Sequence, residues 1–348
     1  MLEPTVPATL EAALREAHSL PMLGRHKRRL IQLLASMSVH VARHPSALVE
    51  EQLLAINGRL ATEDRREDAV RQLMEAARLA SARGAGLLSA RHRLAAVYAL
   101  AREGRLDAAR ARLRELALAA EGRPELADAW HLAAAACGHG DPRSHLEQAL
   151  EVLHAPTDDH LRYDVLVRLF QIHLEGGDPQ RARDMLVAAG EIARASDDGP
   201  AAVHVDAMLG NLLVEAALHE EARAVLRRCV EAAEARSDDL TVLSEGTILA
   251  ALLIMAEQWA ELVDLARRLL TAAERRGNWL GIADAAMSWS QGLIGQDDVE
   301  GGILVLVRVG SLLQQRGASA AVNLIKARLG ELRANLGPET VDALLSPR

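Results

Sequence analysis

Residues 182–193 read ARDMLVAAGEIA, and the same pattern returns as ARAVLRRCVEAA (222–233), LVDLARRLLTAA (262–273) and GILVLVRVGSLL (302–313). Each segment begins 40 residues after the previous one and has small or apolar residues at offsets 0, 4, 7 and 11. These offsets lie on one face of an α-helix. One such helix per fixed period is typical of a stacked helical repeat, in which each unit buries its apolar face against the next.

The pattern continues toward the N-terminus with one irregularity. It returns at 69–80 and 109–120, again 40 residues apart, but the next two steps, to His145 and then to Ala182, are 36 and 37 residues. We expect a contracted helix pair there, whose second helix starts at His145. The preceding turn reads GHGDP (138–142), in which Asp and Pro suit the cap and the first position of a helix.

The repeats predict three parts of the chain. Residues 46–318 form seven helix pairs, residues 1–45 form an N-terminal helical cap, and residues 319–348 form C-terminal capping helices. The last long helix has a polar outer face that includes Lys326 and Arg333, as the end of a repeat array requires. Such an array needs no separate globular core, because each unit packs on its neighbour.

The composition argues against several classes of protein. The chain has 348 residues and is 50% apolar, but it contains only 4 Trp, 2 Tyr and 1 Phe, which disfavours a large enzyme core. Its net charge of −8 disfavours nucleic-acid binding by bulk electrostatics. Cys137 and Cys229 give neither a disulfide framework nor a metal-spaced pair, and we expect Cys229 to fill an apolar position.

No stretch of the sequence predicts a targeting or membrane segment. Residues 1–17 lack the basic and apolar regions of a signal peptide. The longest apolar run, 248–256, has nine residues and is too short to span a bilayer. We therefore expect a cytoplasmic protein without membrane insertion.

The sequence predicts neither a catalytic nor a metal site. Zinc needs three or four converging ligands, and no recognised ligand spacing connects the clustered histidines His131, His139, His145, His154 and His160. No phosphate-binding glycine loop, nucleophile elbow or HExxH motif occurs. Carboxylate pairs such as Asp158–Asp159 fall at turns, where they suit helix caps. We expect no metal, no cofactor and no enzymatic activity.

A small residue at the end of the first helix of a pair, followed five residues later by an alanine, recurs along the chain. The instances are Gly104 with Ala109, Gly177 with Ala182, and Ala217 with Ala222. Together with large apolar positions in the first helices, this arrangement resembles the tetratricopeptide repeat (TPR) over roughly residues 46–313. The resemblance implies an all-α fold, a right-handed α-α superhelical solenoid of helix pairs, whose two helices are called A and B.

The chain departs from the standard TPR in three ways. Its period is about 40 residues rather than about 34, and the closing proline of the motif is missing. Asp64, Glu257 and Asp297 also occupy the position of the small residue in the turn. The longer step resembles a TPR subgroup found in bacterial peptide-sensing regulators, in large signalling ATPases and in motor light chains.

The resemblance also implies a peptide-binding concave groove lined by A helices. Counting back from the end of each A helix, we predict these groove residues: Arg91, Tyr98, Arg102, Asp164, Gln171, His204, Asn211 and Gln291. The amides can donate to and accept from a peptide backbone, and the mixed charges suit a segment of mixed charge. The alternative is that these residues are ordinary solvated side chains.

We predict a TPR scaffold or adaptor that binds another protein or a peptide segment. The alternative is a peptide-sensing signalling regulator with an N-terminal effector-contacting helical segment, because residues 25–29 form the one dense basic cluster. That cluster also fits a solvated helix face, since no aromatic residues interleave with it. Nucleic acid is not expected as a partner, and the sequence leaves homo-oligomerisation open.

Overall fold

A computed structural model describes residues 8–20, 22, 24–43, 46–64, 66–120, 122–154, 158–338 and 341. Over these residues the backbone is helical with connecting turns and contains no strand. The chain forms two compact units, Met1–Asp198 (unit 1) and Gly199–Arg348 (unit 2). None of the helices in the described ranges has the length and apolar content to cross a bilayer. The all-α prediction is confirmed, whereas the domain boundaries at residues 45 and 318 stay a prediction.

Unit 1 begins with two helices, continues with four A/B pairs, and has a short 3-10 helix, Pro124–Leu126, before its third pair. Its α-helices are α1 (Ala8–Ser19), α2 (Gly24–Arg43), α3 (Ala47–Glu63), α4 (Ala69–Ala82), α5 (Gly86–Arg102), α6 (Leu106–Ala120), α7 (Ala127–Cys137), α8 (Pro142–Val152), α9 (Asp159–Glu175) and α10 (Pro179–Ala195). The A helices α3, α5 and α7 pack side by side, and each also packs against its B helix. This arrangement puts the A helices on one side of the unit.

Unit 2 has three A/B pairs and a last helix. Its helices are α11 (Gly199–Glu215), α12 (His219–Glu234), α13 (Asp239–Met255), α14 (Trp259–Arg276), α15 (Trp279–Gly295), α16 (Val299–Gln315) and α17 (Ser319–Leu336). The A helices and α17 begin at intervals of 40 residues, as the sequence predicts. The part of the predicted C-terminal cap that follows residue 341 lies outside the described residues.

The apolar stripes of the B helices are buried as predicted. On α10, Ala182, Leu186, Ala189 and Ala193 have no solvent exposure. On α12 the equivalent positions are equally buried and include Cys229, which fills an apolar position. Burial of such side chains is worth roughly 25 cal/mol per Å² of apolar surface, so these stripes supply the stability of each pair.

The contracted pair is present, and its helices are short. Both α7 and α8 have 11 residues, whereas the A helices on either side of α7 have 17. Helix α8 begins at Pro142 and not at His145, because the Asp141 carboxylate caps it by accepting from the backbone N–H groups of Arg143 (3.2 Å) and Ser144 (3.3 Å). The polar cap therefore determines where this helix starts.

The turns between A and B helices differ between the two units. In unit 1 they contain glycines with positive φ, at Gly104, Gly138 and Gly177. In unit 2 the equivalent positions are Ala217 (φ 57°), Glu257 (φ 54°) and Asp297 (φ 64°). Residues with a side chain are strained in this left-handed conformation. The turns of unit 2 therefore have a conformational cost that the glycine turns of unit 1 avoid.

Candidate functional site

Unit 1 contains a pocket of about 340 Å³ between its A helices, which we call the unit 1 pocket. Helices α3, α5 and α7 line it, together with the start of α9 and the preceding Asp158. Its apolar wall consists of Ala55, Leu88, Ala95, Ala129, Leu132 and Leu161. Its polar and charged residues are Glu51, Gln52, Arg59, Thr62, Glu63, Arg91, His92, Tyr98, Asp128, Asp158 and His160.

Helical spacing brings these side chains to one surface. On α3 the lining residues Gln52, Ala55, Arg59 and Glu63 follow one another at intervals of three or four, which places them on one face of the helix. On α5 the lining residues from Leu88 to Tyr98 follow the same rule. Each of these faces contains both apolar and polar residues.

One carboxylate of the pocket is fully compensated within the protein. Glu51 is 0% exposed and accepts from Nε of Arg83 at 3.0 Å. Its other oxygen lies 3.3 Å from Nε2 of His92. Burial lowers the pKa of His92, although the Glu51 carboxylate opposes that effect. His92 is therefore neutral at pH 7, and Arg83 supplies the compensating charge.

A second charge pair connects α5 with α7. Arg91 donates to the Asp128 carboxylate and also to the backbone oxygen of Glu125, at 3.1 Å. The Arg91 side chain remains 44% exposed. Arg91 therefore lies at the edge of the pocket and is held in place by α7 and the 3-10 helix before it.

A third set of charged and polar side chains connects α5 directly to α9. The Tyr98 hydroxyl and the Arg102 guanidinium both donate to the Asp164 carboxylate, and Arg168 lies 3.5 Å from the same oxygen. Burial alone would raise the pKa of Asp164, but Arg168 and Arg102 outweigh it and hold that pKa below its usual range. Burial and Asp164 raise the pKa of Tyr98, so its hydroxyl stays protonated as a donor.

Two charged side chains of the pocket differ from these, because neither makes a hydrogen bond or an ion pair with any residue in the described ranges. They are Arg59 and Glu63, both on α3. Burial, and then repulsion from Arg91, lowers the pKa of Arg59. Burial, and then repulsion from Asp164, raises the pKa of Glu63 to about 7. Both groups are therefore destabilised in their charged forms.

The predicted groove residues of unit 1 meet at this site with one exception. Arg91 and Tyr98 line the pocket, and Arg102 and Asp164 are bonded to Tyr98 at its edge. Gln171 is exposed on α9 and does not line the pocket. Tyr98 is 6% exposed, so its phenol is a buried structural donor and not an open groove side chain.

The predicted groove residues of unit 2 are mostly engaged within the protein. Asn211 donates to Oε2 of Glu245 at 3.3 Å, and the side-chain oxygen of Gln291 accepts from Arg328. His204 is exposed and lines a surface depression that also includes Ala207 and Glu245. One polar atom of each amide, at 211 and at 291, is therefore already bonded within unit 2.

Sequence reasoning missed most of the polar lining, including Arg59, Glu63, His92 and Asp128. The positions were counted back from the end of each A helix, which finds the residues 6 and 13 before it but not their neighbours on the same face. The helical offsets from Glu51, which give residues 55, 59 and 63 at steps of four, would have indicated Arg59 and Glu63.

The histidine cluster forms a close pair. Nδ1 of His131 and Nδ1 of His145 are 3.0 Å apart, and the rings of His139 and His145 stack at 6.2 Å. No group of three or more metal-ligating side chains occurs in the part of the chain that the structure describes. His173, on α9, is 4% exposed and packs in the core.

Two cations of the N-terminal basic cluster have partners. Lys27 is paired with Asp64, and Nε of Arg29 donates to Glu16 at 2.8 Å. The side chains of Arg25 and His26 lie outside the described residues. The cluster therefore contributes to packing between α2, α1 and the end of α3.

No family model and no curated protein matches the chain. Among solved structures, the apo form of RapI matches with a TM-score of 0.52 and 10% identity, over 82% of this chain and 86% of RapI. The chain has a TPR-like fold. The apo form of the quorum sensor NprR from B. thuringiensis matches with a TM-score of 0.37 and 15% identity, over 82% of each chain.

A Pyrococcus horikoshii signal-transduction ATPase with a tetratricopeptide repeat sensor matches with a TM-score of 0.44 and 10% identity, over 90% of this chain and 54% of that one. At these identities the likeness concerns the fold alone. What the unit 1 pocket can bind therefore follows from the chemistry of its own residues. Membership of the long-repeat TPR subgroup stays a prediction.

Proposed function

We propose that the chain is a TPR-like binding protein that takes a peptide, or a short segment of another protein, in the unit 1 pocket. The observation that carries this proposal is the pocket itself, with an apolar wall and the two unpartnered charged side chains Arg59 and Glu63. Its volume of about 340 Å³ lies at the lower end of the roughly 300–1,000 Å³ of small-ligand sites. It therefore suits a short segment.

The role proposed is binding and not catalysis. At the pocket wall, Glu51 and Arg91 are committed to ion pairs, and Arg59 and Glu63 form none with the described residues. No nucleophile with an adjacent base is found among the lining residues. A cytoplasmic location remains part of the proposal.

The test is affinity selection from a random hexapeptide library with the full chain. Ala129→Phe fills the pocket with an aromatic ring and removes no polar group. Ala207→Phe is the matched control, because Ala207 is also a partly exposed alanine on an A helix and lines the depression of unit 2. We expect Ala129→Phe to reduce retention at least ~10-fold, or about 1.4 kcal/mol, and Ala207→Phe to leave it unchanged.

The opposite result, loss of retention in Ala207→Phe alone, would move the binding site to unit 2. Equal retention by both variants and the original chain would contradict the proposal. Cooperative thermal unfolding of each variant is the control for folding.

One contact favours the second candidate, a peptide-sensing regulator whose N-terminal helices carry the output. Lys27 on α2 pairs with Asp64, which directly follows the pocket residue Glu63 on α3. A ligand in the pocket that contacts Glu63 would therefore affect the ion pair between Lys27 and Asp64. We expect Lys27→Ala to leave peptide retention intact and to change how binding alters protease cleavage in residues 20–43. An unchanged cleavage pattern would count against the regulator.

A further inference from the structure

The two unpartnered charges of the unit 1 pocket lie one helical turn apart. Arg59 and Glu63 are four residues apart on α3, which corresponds to a rise of about 6 Å along the helix. At this spacing an arginine and a glutamate commonly pair with each other. Here they do not, and each faces different charged neighbours.

The Arg59 end of the pocket contains charged groups of both signs. Arg59 interacts electrostatically with Arg91, Asp128 and Asp158. A guanidinium has five N–H donors in a planar fork that matches a carboxylate, and it cannot be neutralised at physiological pH. The donors of Arg59 therefore remain available for an acceptor that comes from outside the protein.

The Glu63 end has a carboxyl group that needs a donor. Its charged neighbours are Asp164, Arg102, Lys27 and Arg168. The three cations are already used, because Arg102 and Arg168 serve Asp164 and Lys27 serves Asp64. A donor with a positive charge would satisfy Glu63 in its ionised form.

The charges around Arg59 already balance before a ligand is counted. Two guanidiniums, Arg59 and Arg91, face two carboxylates, Asp128 and Asp158. A ligand with a net negative charge would disturb this balance, and so would a ligand with a net positive charge. A ligand with one charge of each sign adds none and still supplies both missing partners.

We infer that the unit 1 pocket recognises a zwitterionic group, with a carboxylate on Arg59 and an ammonium or guanidinium on Glu63. This inference rests on the proposed function, and it names the chemistry of the ligand at the same site. The apolar wall of the pocket, which includes Ala55 and Ala95, takes the uncharged part of the ligand. The opposite charges of the ligand lie at least about 6 Å apart, the rise between Arg59 and Glu63.

Two sources can supply this chemistry in a peptide. One is a short free peptide, whose own terminal ammonium and carboxylate carry the charges. The other is an extended internal segment with an acidic and a basic side chain two residues apart, which point to the same side at about 6.6–6.8 Å. The arms of the test separate them.

The probes are four random tetrapeptide pools: free termini, amidated C-termini, acetylated N-termini, and both ends blocked. Each is mixed with the full chain, and retained peptides are quantified by mass spectrometry after size exclusion. If the termini carry the charges, the free pool is retained roughly 10- to 100-fold better than the blocked pool, the range of charge-assisted hydrogen bonds. If side chains carry them, peptides retained from the blocked pool contain an acidic and a basic residue two positions apart.

Two variants tie the selectivity to the residues. Arg59→Gln should abolish the preference for the carboxylate and keep the preference for the cation, and Glu63→Gln should do the reverse. Arg227→Gln in unit 2 is the control and should change neither. A residue that only supported the fold would not separate the two preferences.

Retention of peptides without regard to charge overturns this inference and leaves the proposed function standing, provided that Ala129→Phe still abolishes retention. Charge preferences that persist in both variants also overturn it. If no pool is retained by the original chain, both the inference and the proposed function fail.

Discussion

Units 1 and 2 are built from the same helix pair, but they use their polar side chains differently. In unit 2 the pairs follow at a constant step of 40 residues, and the amides of Asn211 and Gln291 are bonded to other side chains. In unit 1 the step contracts at α7 and α8, and a pocket with two unpartnered charges lies along the same row of A helices. The interrupted stack of unit 1 therefore keeps two charged side chains available for a ligand.

The B helices of unit 2 are joined to one another by charge pairs. Arg227 of α12 forms a bidentate pair with Glu261 of α14, at 2.6 and 2.8 Å. Arg268 of α14 forms the reciprocal pair with Glu234 of α12, at 2.7 and 2.6 Å. These ion pairs therefore join neighbouring repeats of unit 2 at the protein surface. In unit 1, by contrast, the buried carboxylate of the pocket residue Glu51 pairs with Arg83.

The largest effect should come from removing that buried carboxylate. Glu51→Ala deletes the fully buried acceptor of Arg83 and leaves that largely buried guanidinium without a partner, so we expect the free energy of unfolding to fall by about 2–3 kcal/mol. Glu261→Ala removes an equivalent but solvent-exposed pair in unit 2 and should cost at most about 1 kcal/mol. Urea denaturation measures both. Equal losses would mean that burial does not distinguish the pairs of the two units.

A smaller effect should appear in the pH dependence of stability. The pKa of Glu63 is raised to about 7 in the folded chain, above its value of about 4.3 in an unfolded one. The folded state therefore binds more protons between these values, so stability falls as the pH rises from about 4.3 to about 7 and levels off above the folded pKa. Burial and then Asp164 raise this pKa, whereas the cations Arg102, Lys27 and Arg168 oppose the shift.

We expect Glu63→Gln to remove this component, which we put at about 1–2 kcal/mol between pH 5 and 8 after solvent screening. Thermal unfolding at several pH values measures it. The variant should lose less stability than the original chain as the pH rises. If the stability of the variant and that of the original chain change with pH in parallel, Glu63 is ionised and has a partner in the folded protein. Glu63 would then not be one of the two unpartnered charges that distinguish unit 1.

The smallest effect concerns the turns. Glu257→Gly relieves a left-handed residue in unit 2 and should raise stability by about 0.5–1 kcal/mol. Gly104→Ala makes the opposite change at the equivalent turn of unit 1 and should lower it by about 1 kcal/mol. Urea midpoints at constant slope test both. A loss in Glu257→Gly would show that the side chain stabilises its turn through contacts that outweigh the strain.

The fold was predictable because burial at offsets 0, 4, 7 and 11 is a local property of each helix. Ala182 and Leu186 are buried at the positions that the spacing indicates. The irregular pair was also visible, since a change of step from 40 to 36 residues needs no structure to detect. The cap at Asp141 followed from residue type alone.

The site was predictable only in part, because pairing of charges depends on distant residues. Arg91 and Tyr98 were found from their place on the A helix. Whether a charge has a partner depends on contacts between residues that are far apart in the sequence. Arg91 pairs with Asp128, 37 residues away, and Arg102 pairs with Asp164, 62 residues away. No local pattern reveals that Arg59 lacks such a partner while Gln291 has one.

The most direct measurement is hydrogen–deuterium exchange of the full chain with and without the tightest peptide recovered from the hexapeptide selection. We expect the peptide to slow exchange in α3, α5 and α7 and at the start of α9, and to leave residues 199–338 unchanged. Slower exchange in α11, α13 or α15 without a change in α3 and α5 would contradict the assignment of binding to unit 1.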